Sequence, residues 1–489
     1  MRIGFDIDNV ITDMDSLLLK EFLKEDKNKR NNGIINKNAR HIVKGMFDWS
    51  EYEVEEFLAN NMERIAKNFK PIDGMKELID KLIKEGHEVY LISNRVYPHY
   101  KEARKTTEDW LLKYNIKYNE LILTETIDKS NACKKYKIDI MFDDSVRNCL
   151  ILRDNDINVC LVKTKYNYNY KRDLDIANDI KEIYERIDGM KKNIILDTDM
   201  YNEVDDQFAL TYLMHSLDKF KVDAITIAPF SGSGYAKTKT IKEGSIKSLL
   251  VTKMILDILD MNEYRNSVYM GATSYFKDSK GSNEAVDKII ELAHKNEKTI
   301  IIAIGAITNV ALALYKDPNI KDKIEVIWLG GNSFLTGQNL EFNFKQDIEA
   351  VRYVFNSEVN LTVIPCRNVA SNLVTTTYEL DNYLRGSKIG DYLCDTFKEL
   401  KKHYYETLED EYGSSKTLWD LSAVAYAINK DWFETKEYSC PNILDDGSYQ
   451  FTTDRHKVNF VNDLYRNKIF KDYFIKMEKE KVKTKKIER

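Results

Sequence analysis

A chain of 489 residues is too long for one ordinary hydrophobic core, so two or three domains are expected. Hydrophobic residues make up 43% and charged residues 31%, a profile that excludes a disordered chain. The net charge is −5 with acids and bases mixed along the chain, which leaves no overall basic footprint for nucleic acid.

The elements follow in chain order. Met1 to Phe5 is a short apolar run ending in Asp6-Ile7-Asp8, and reads as the first strand of an α/β domain rather than as a secretory signal. From Asp13 to Lys70 the pattern is polar, helical and poor in strands, which predicts a helical insertion over residues 14–70. A helix-like GMKELIDKLIKEG then leads into the strand of His87 to Asn94, and Ile138 to Phe142 predicts another strand ending in Asp143-Asp144. Asp173 to Ile187 has helical spacing and stops at Asp188-Gly189, a plausible helix end and linker.

The chain then starts over. Asn193 to Leu196 is a second opening strand, followed by Asp197-Thr198-Asp199. Further strands are predicted at Val222 to Ile227, Thr299 to Ile304, Ile324 to Leu329 and Leu361 to Ile364, with helical patterns between them. Alternation of this kind predicts an α/β fold, two domains each built on a mainly parallel sheet flanked by helices, with ligands at the carboxyl ends of the strands. The Lys-rich run from Lys479 to Lys486 is expected to extend a solvated terminal helix. Cys133, Cys149, Cys160, Cys366, Cys394 and Cys440 show no CxxC pair and no short metal spacing. They are expected to be reduced, mostly buried thiols of a cytoplasmic protein. No apolar run of roughly 18 residues predicts a membrane helix.

Two constellations carry chemistry. In the first, Asp6 and Asp8 stand two apart at a strand end, a spacing that suits a nucleophile and a general acid or base. Ser93, Lys129 and Asp143-Asp144 follow at later strand or helix ends. A lysine and a metal ion held by hard oxygen ligands would neutralise the charge where a carboxylate attacks a phosphate. Each motif alone is common, and all four in order are not.

This order resembles the haloacid dehalogenase superfamily of phosphatases. The helical insertion and the LISNR segment resemble its 5′-nucleotidase and deoxyribonucleotidase-like branch. The resemblance covers residues 1–188 and implies a Rossmann-like phosphatase domain with a small helical cap. It makes Asp6 the nucleophile and Asp8 the general acid, with Ser93 and Lys129 holding the phosphoryl group. Asp6, the backbone carbonyl of Asp8, and Asp143 would bind Mg²⁺, supported by Asp144. Ser93-Asn94-Arg95 departs from the Thr-Ala-Arg often found in this family.

In the second constellation, Asp197, Asp199, Asp205 and Asp206 crowd one strand-to-helix loop. Capping of the following helix explains one aspartate, whereas a bound hard cation explains four. Further on come IIIAIGAITNVALAL, IWLGGNSF, NLEFNFKQDIEAV and TLWDLSAVAYAI. Together these resemble the inosine-uridine-type nucleoside hydrolases, from Lys192 to near the C-terminus, a domain set at residues 192–489.

That resemblance implies a Ca²⁺ site made by Asp199, Asp206, the backbone carbonyl of Thr308, and Asp420. Asp199 would deprotonate the attacking water, and Asp205 would bind ribose hydroxyls. Glu341 and Asn343 would hold the sugar, helped by Asn332 or Asn339. Two departures stand out. Five residues, Met200 to Val204, separate Asp199 from Asp205, two more than the family's DxDxxxDD allows. Trp419 precedes Asp420 where inosine-preferring members often carry a histidine acid, and a tryptophan stacks on a base but cannot protonate it. His456 and Tyr201 are candidates for the missing acid, against the ordinary reading of a lone histidine as structural.

The expectation is a bifunctional hydrolase of small-molecule nucleosides and nucleotides, with no nucleic-acid or membrane partner. Oligomerisation is implied by family analogy alone. The alternatives are two domains acting on unrelated substrates, for example in salvage of a modified nucleoside, and a binding sensor that has lost one or both activities.

Overall fold

The computed structural model describes residues 1–39, 41–170, 173–232, 238–278, 281–334, 339–404 and 415–487. The chain divides into two compact units, Met1–Lys191 and Lys192–Arg489.

The first unit is built on a six-stranded sheet in the order Glu120–Leu123, Glu88–Ser93, Arg2–Phe5, Ile140–Asp143, Val159–Val162, Asp175–Ala177. All its pairings are parallel. Parallel strands are buried on both faces, which is why they read as near-continuous apolar runs. Val89 and Leu91 pack into one core with Phe5 and Phe142, and Tyr90 and Ile92 into another with Met141 and Leu161. Helices Met14–Lys29 and Glu51–Ala66 form the insertion after the first strand. It leaves and returns through a two-residue antiparallel pairing, Thr12 with Pro71 and Asp13 with Lys70. Ser50 and Glu53 form a reciprocal capping box that starts the second of these helices.

The stretch from Asp173 differs from the helical reading. Asp175–Ala177 is an edge strand, and the helix begins only at Ile180, where Asp179 accepts a hydrogen bond from the Glu182 N–H. The helix then runs through Asp188 to Gly189.

The second unit holds an eight-stranded sheet in the order Val268–Tyr269, Phe220–Ile227, Lys192–Thr198, Thr299–Ala303, Ile324–Leu329, Asn360–Ile364, Lys457–Leu464, Phe433–Ser439. Only the last strand is antiparallel to its neighbour. Alternation again splits the core: Ile194 and Leu196 face one layer, and Ile195 the other. The final helix, Arg466–Ile487, runs through the Lys-rich tail. Among the described residues no helix is long and apolar enough to cross a membrane.

Both sheets reverse their strand order next to the opening strand. In each, one neighbour of that strand belongs to the run going one way, and the other starts the run going back. That crevice is where open α/β sheets bind ligands.

Candidate active sites

At the first reversal, Asp6 follows Arg2–Phe5, and Asp143 ends the adjacent strand Ile140–Asp143. Lys129, buried, lies between them with Nζ 2.8 Å from Asp6 Oδ1 and 2.7 Å from Asp143 Oδ2. Oxygens of Asp6, Asp143 and Asp144 fall within 4.8 Å of one another. Burial raises Asp143 and Asp144 above the usual carboxylate range. Lys129 moderates the shift at Asp143, and the neighbouring acids add to it at Asp144. Burial opposes the charge on Lys129, yet Asp143 and Asp6 hold its pKa well above the ordinary lysine value.

The Asp8 side chain stands outside this triad. It accepts from Arg95 Nε at 3.2 Å and from a second guanidinium nitrogen at 2.5 Å. Arg95 is itself buried and also donates to Thr107 Oγ1 at 2.9 Å. Asp144 instead joins Asp6 and Asp143, steadied by Asn9 Nδ2 at 3.1 Å. Ser93 is buried at the end of Glu88–Ser93.

At the second reversal the acids are denser. Asp197, Asp199, Asp205, Asp206 and Asp420 are all buried. Asp197 is tied down, accepting from Thr226 Oγ1 at 2.6 Å and Asn309 Nδ2 at 2.8 Å. Oxygens of Asp205, Asp206 and Asp420 lie within 4.8 Å of one another, and Asp199 lines the same cavity. Neither Asp205 nor Asp206 caps a helix. Helix Asp205–Met214 starts at Asp205 after Val204, and Asp420, at the N-cap of Leu421–Ile428, makes no side-chain cap bond. Asp199 Oδ2 and Asp205 Oδ1 are buried without a hydrogen-bond partner, a condition that costs about 1–3 kcal/mol per group, more when charged. Burial, then the neighbouring acids, push Asp206 up to about 8 and raise Asp199 and Asp420 well above the usual range. Asp205 is raised to about 6 by burial, with Lys416 pulling the other way. Gly305 keeps this crowding possible: a Cβ there would lie 2.9 Å from Asp199 Oδ1 and 2.8 Å from Ala228 Cβ.

These acids line a cavity of about 400 Å³, within the range of small-molecule sites. Asn332, Glu341, Asn343 and Trp419 line it too. Glu341 accepts from the N–H groups of Gly331 at 2.8 Å, Asn343 at 2.8 Å and Phe344 at 2.6 Å. Burial nonetheless raises it to about 7. Asn343 donates to the Ile304 and Leu329 carbonyls, which fixes it to two strand ends. The Trp419 N–H donates to Asp205 Oδ2 at 3.1 Å.

Four residues singled out from the sequence do not line the cavity. The Asn339 amide donates to the Gly447 carbonyl at 3.3 Å and does not line the cavity. Thr308 is fully buried, and its hydroxyl donates to Asp347 at 2.7 Å. Its hydroxyl is thereby spent, and Thr308 is not among the residues that line the cavity. His456 stands just before Lys457–Leu464, at the amino ends of the strands, where Glu358 and Lys321 act on it. It is therefore at the wrong edge of the sheet to protonate a base. Tyr201 packs under the Lys247 ammonium, 5.0 Å from its ring, and does not line the cavity.

Sequence reasoning missed Cys366, Arg367 and Lys345, which line the cavity. The signal was present: Cys366-Arg367 follows the strand Asn360–Ile364 at its carboxyl end. Burial, then Glu341, raise the Cys366 thiol well above its usual value.

Residues 194–471 match the family model described as inosine-uridine preferring nucleoside hydrolase. The chain belongs to this family. Residues 1–192 match the model of the 5′ nucleotidase, deoxy (pyrimidine), cytosolic type C proteins. The protein is thus a bifunctional hydrolase in architecture, a nucleotidase-type domain followed by a nucleoside hydrolase domain. The nucleoside hydrolase domain is similar to the inosine-uridine preferring nucleoside hydrolase of Leishmania major, 28% identical over 257 residues, covering 49% of this chain and 80% of that one. It is also similar to a pyrimidine-specific ribonucleoside hydrolase, RihB, of Escherichia coli, 29% identical over 161 residues. That match covers 32% of this chain and 50% of the relative, so the chain spans about half the length of this relative. Among solved structures, a purine-preferring ribonucleoside hydrolase from Gardnerella vaginalis aligns with a TM-score of 0.47 and 21% identity, over 60% of this chain and 100% of that one.

Proposed function

We propose that the nucleoside hydrolase domain is a Ca²⁺-dependent N-glycosidase that splits a nucleoside into base and ribose. We propose also that the first domain is a Mg²⁺-dependent phosphatase of a nucleotide or similar phosphomonoester. The observation that carries the first reading is the group of buried carboxylates at the strand reversal, unspent on helix caps and without an ion pair to Lys or Arg among the described residues. Hard oxygen donors crowded in this way fit Ca²⁺ and not a soft metal.

Asp206 and Asp420 would hold the ion with Asp199 and the Thr308 carbonyl, and Asp205 is close enough to Asp206 and Asp420 to join them. A bound Ca²⁺ would fix the ribose diol and polarise the attacking water. Asp199, which lines the cavity beside the aspartate cluster, would take the proton from that water. The surrounding acids stabilise the positive charge that develops on the sugar as the C–N bond breaks. Asn332, Glu341 and Asn343 orient the ribose, and Trp419 offers an aromatic face to the base.

In the first domain Asp6 is the nucleophile, and Lys129 holds it and would hold the phosphoryl group together with Ser93. The Asp6, Asp143 and Asp144 cluster fits Mg²⁺, and the Asp8 carboxylate, held by Arg95, is left for proton transfer. Six free cysteines, all buried, suit the reducing cytoplasm. The deciding experiment incubates the full chain with a panel of nucleosides and nucleotides, with and without each metal, and follows base and phosphate separately. Base release that persists after complete chelation would rule out the calcium reading.

A further inference from the structure

The cavity of the nucleoside hydrolase domain carries more than the chemistry of an uncharged nucleoside requires. Lys345 and Arg367 line it together with six carboxylates: Asp199, Glu203, Asp205, Asp206, Glu341 and Asp420. Neither cation forms an ion pair among the described residues, although acids share the same walls. Lys416 shows the alternative, since it is paired with Glu203 Oε2 at 2.5 Å.

Both cations are held in place by their backbones. The Arg367 N–H donates to Asn332 Oδ1 at 3.1 Å, and its carbonyl accepts from the Ser333 N–H. Lys345 sits one turn after Glu341, its N–H bonded to the Glu341 carbonyl at 2.9 Å, with its ammonium 5.4 Å from the Phe342 ring. The turn Glu341–Lys345 and the strand end at Arg367 thus bring one ammonium and one guanidinium to the walls that carry the proposed sugar-holding residues. Two unpaired cations of this kind match a phosphate monoester: the guanidinium by a two-pronged hydrogen bond, the ammonium as a point charge. Geometry narrows the place. When the C2′ and C3′ hydroxyls turn toward the Asp cluster, the base on C1′ and the C5′ group on C4′ lie on the same face of the ring but leave from its two ends. Trp419, beside Asp420, offers itself to the base, which leaves the C5′ group for the other end.

We propose that this cavity accepts a nucleoside 5′-monophosphate, its phosphate held by Arg367 and Lys345, and not only a free nucleoside. This rests on the glycosidase reading of the same site. In the reaction the C1′–N bond breaks, and its electron pair leaves with the base. The water oxygen bonds to C1′, one water proton stays on the new hydroxyl, and the other ends on the base nitrogen. The products are free base and ribose 5-phosphate. The two domains would then share the monophosphate as a substrate, and the phosphatase need not act first.

The test uses the full chain carrying Asp6→Asn, so that the first domain does not strip the phosphate, in phosphate-free buffer with Ca²⁺. Base release and ribose 5-phosphate are measured from matched nucleoside and nucleoside 5′-monophosphate pairs. The expected result is a higher kcat/KM for the monophosphate. Arg367→Ala with Lys345→Ala should lower that value about 10–100-fold, and the nucleoside value far less. Nucleoside cleavage also reports that the variant is folded. Cleavage of nucleosides with none of the monophosphates, or equal losses for both substrates in the double variant, overturns the inference and leaves the glycosidase reading standing. Cleavage of neither substrate overturns both.

Discussion

The two sites share a strand order and part company over charge. In the first, Lys129 lies between Asp6 and Asp143 at 2.8 Å and 2.7 Å, and Arg95 holds Asp8. In the second, Asp199, Asp205, Asp206 and Asp420 are buried with no such lysine or arginine bonded to them among the described residues. In the first site each cation is paired with the site's own carboxylates, Lys129 with Asp6 and Asp143 and Arg95 with Asp8. In the second, the cluster has no bonded cation of its own among the described residues, which the calcium reading proposed above would answer, and the cavity's free cations, Lys345 and Arg367, belong to other walls. One topology thus supports opposite electrostatic designs, because the loops after the strands, not the sheet, set the charge.

The strongest way to break this contrast is to remove one carboxylate from the second site. Asp206→Ala or Asp420→Ala is expected to abolish Ca²⁺ binding, read by titration calorimetry, together with glycosidic cleavage. Full cleavage in a variant proven metal-free would sink the assignment. Asp6→Asn is expected to stop phosphate release while base release continues. Loss of both activities in a folded variant would mean that the sites do not act independently.

A smaller effect tests the leaving group. With Trp419 in place of an acid, a nitrophenyl riboside should be cleaved about 10²–10⁴-fold faster than inosine, the usual worth of general acid catalysis. Comparable rates for the two would require an efficient acid in the cavity.

The pH dependence of stability separates the sites further. The Asp205, Glu341 and Asp206 pKa values are raised to about 6, 7 and 8, so the ion-free fold keeps protons that the unfolded chain gives up. Their contribution is complete below pH ~4 and is lost as pH rises through those values. The Tm of the second domain without metal should therefore fall between pH 6 and pH 8, by roughly 2–4 °C per kcal/mol lost. Ca²⁺ should restore it, because binding expels those protons. A Tm without metal that rises over this window would contradict the burial of these acids. The smallest expected effect is Asn339→Ala, under about 3-fold in kcat/KM against a larger loss for Asn332→Ala. The Asn339 amide is spent on the Gly447 carbonyl and of the two only Asn332 lines the cavity, so the loss of one hydrogen bond outside it, about 0.5–1.5 kcal/mol, falls on stability.

The Asp-rich loop, the EFN segment and the strands were legible because each is a local pattern: acids at the end of an apolar run, or alternation into a helix. What escaped depends on distance in the chain. No local pattern announces that the Asp8 carboxylate is held by Arg95, 87 positions away. Asn339 and Asn332 look equivalent in sequence, and only the fold shows that one amide is spent on Gly447. The strand Asp175–Ala177 was read as helix because three residues at a sheet edge, of which only Ala177 is buried, are too short a run for alternation to register. Phe433–Ser439 escaped for a similar reason, being a polar edge strand with only Phe433 fully buried.

The insertion in the first domain hangs from the sheet by two short crossings, Thr12–Asp13 and Lys70–Pro71, paired side by side. None of the six strands of the main sheet lies within it. Thr12 and Pro71 are neighbours, so this block can be exchanged for another without shifting the register of any strand, provided the replacement again covers the core that Phe57, Leu58 and Met62 share with the sheet. Such an exchange would leave Asp6, Lys129 and Asp143 untouched, because all three lie outside the block.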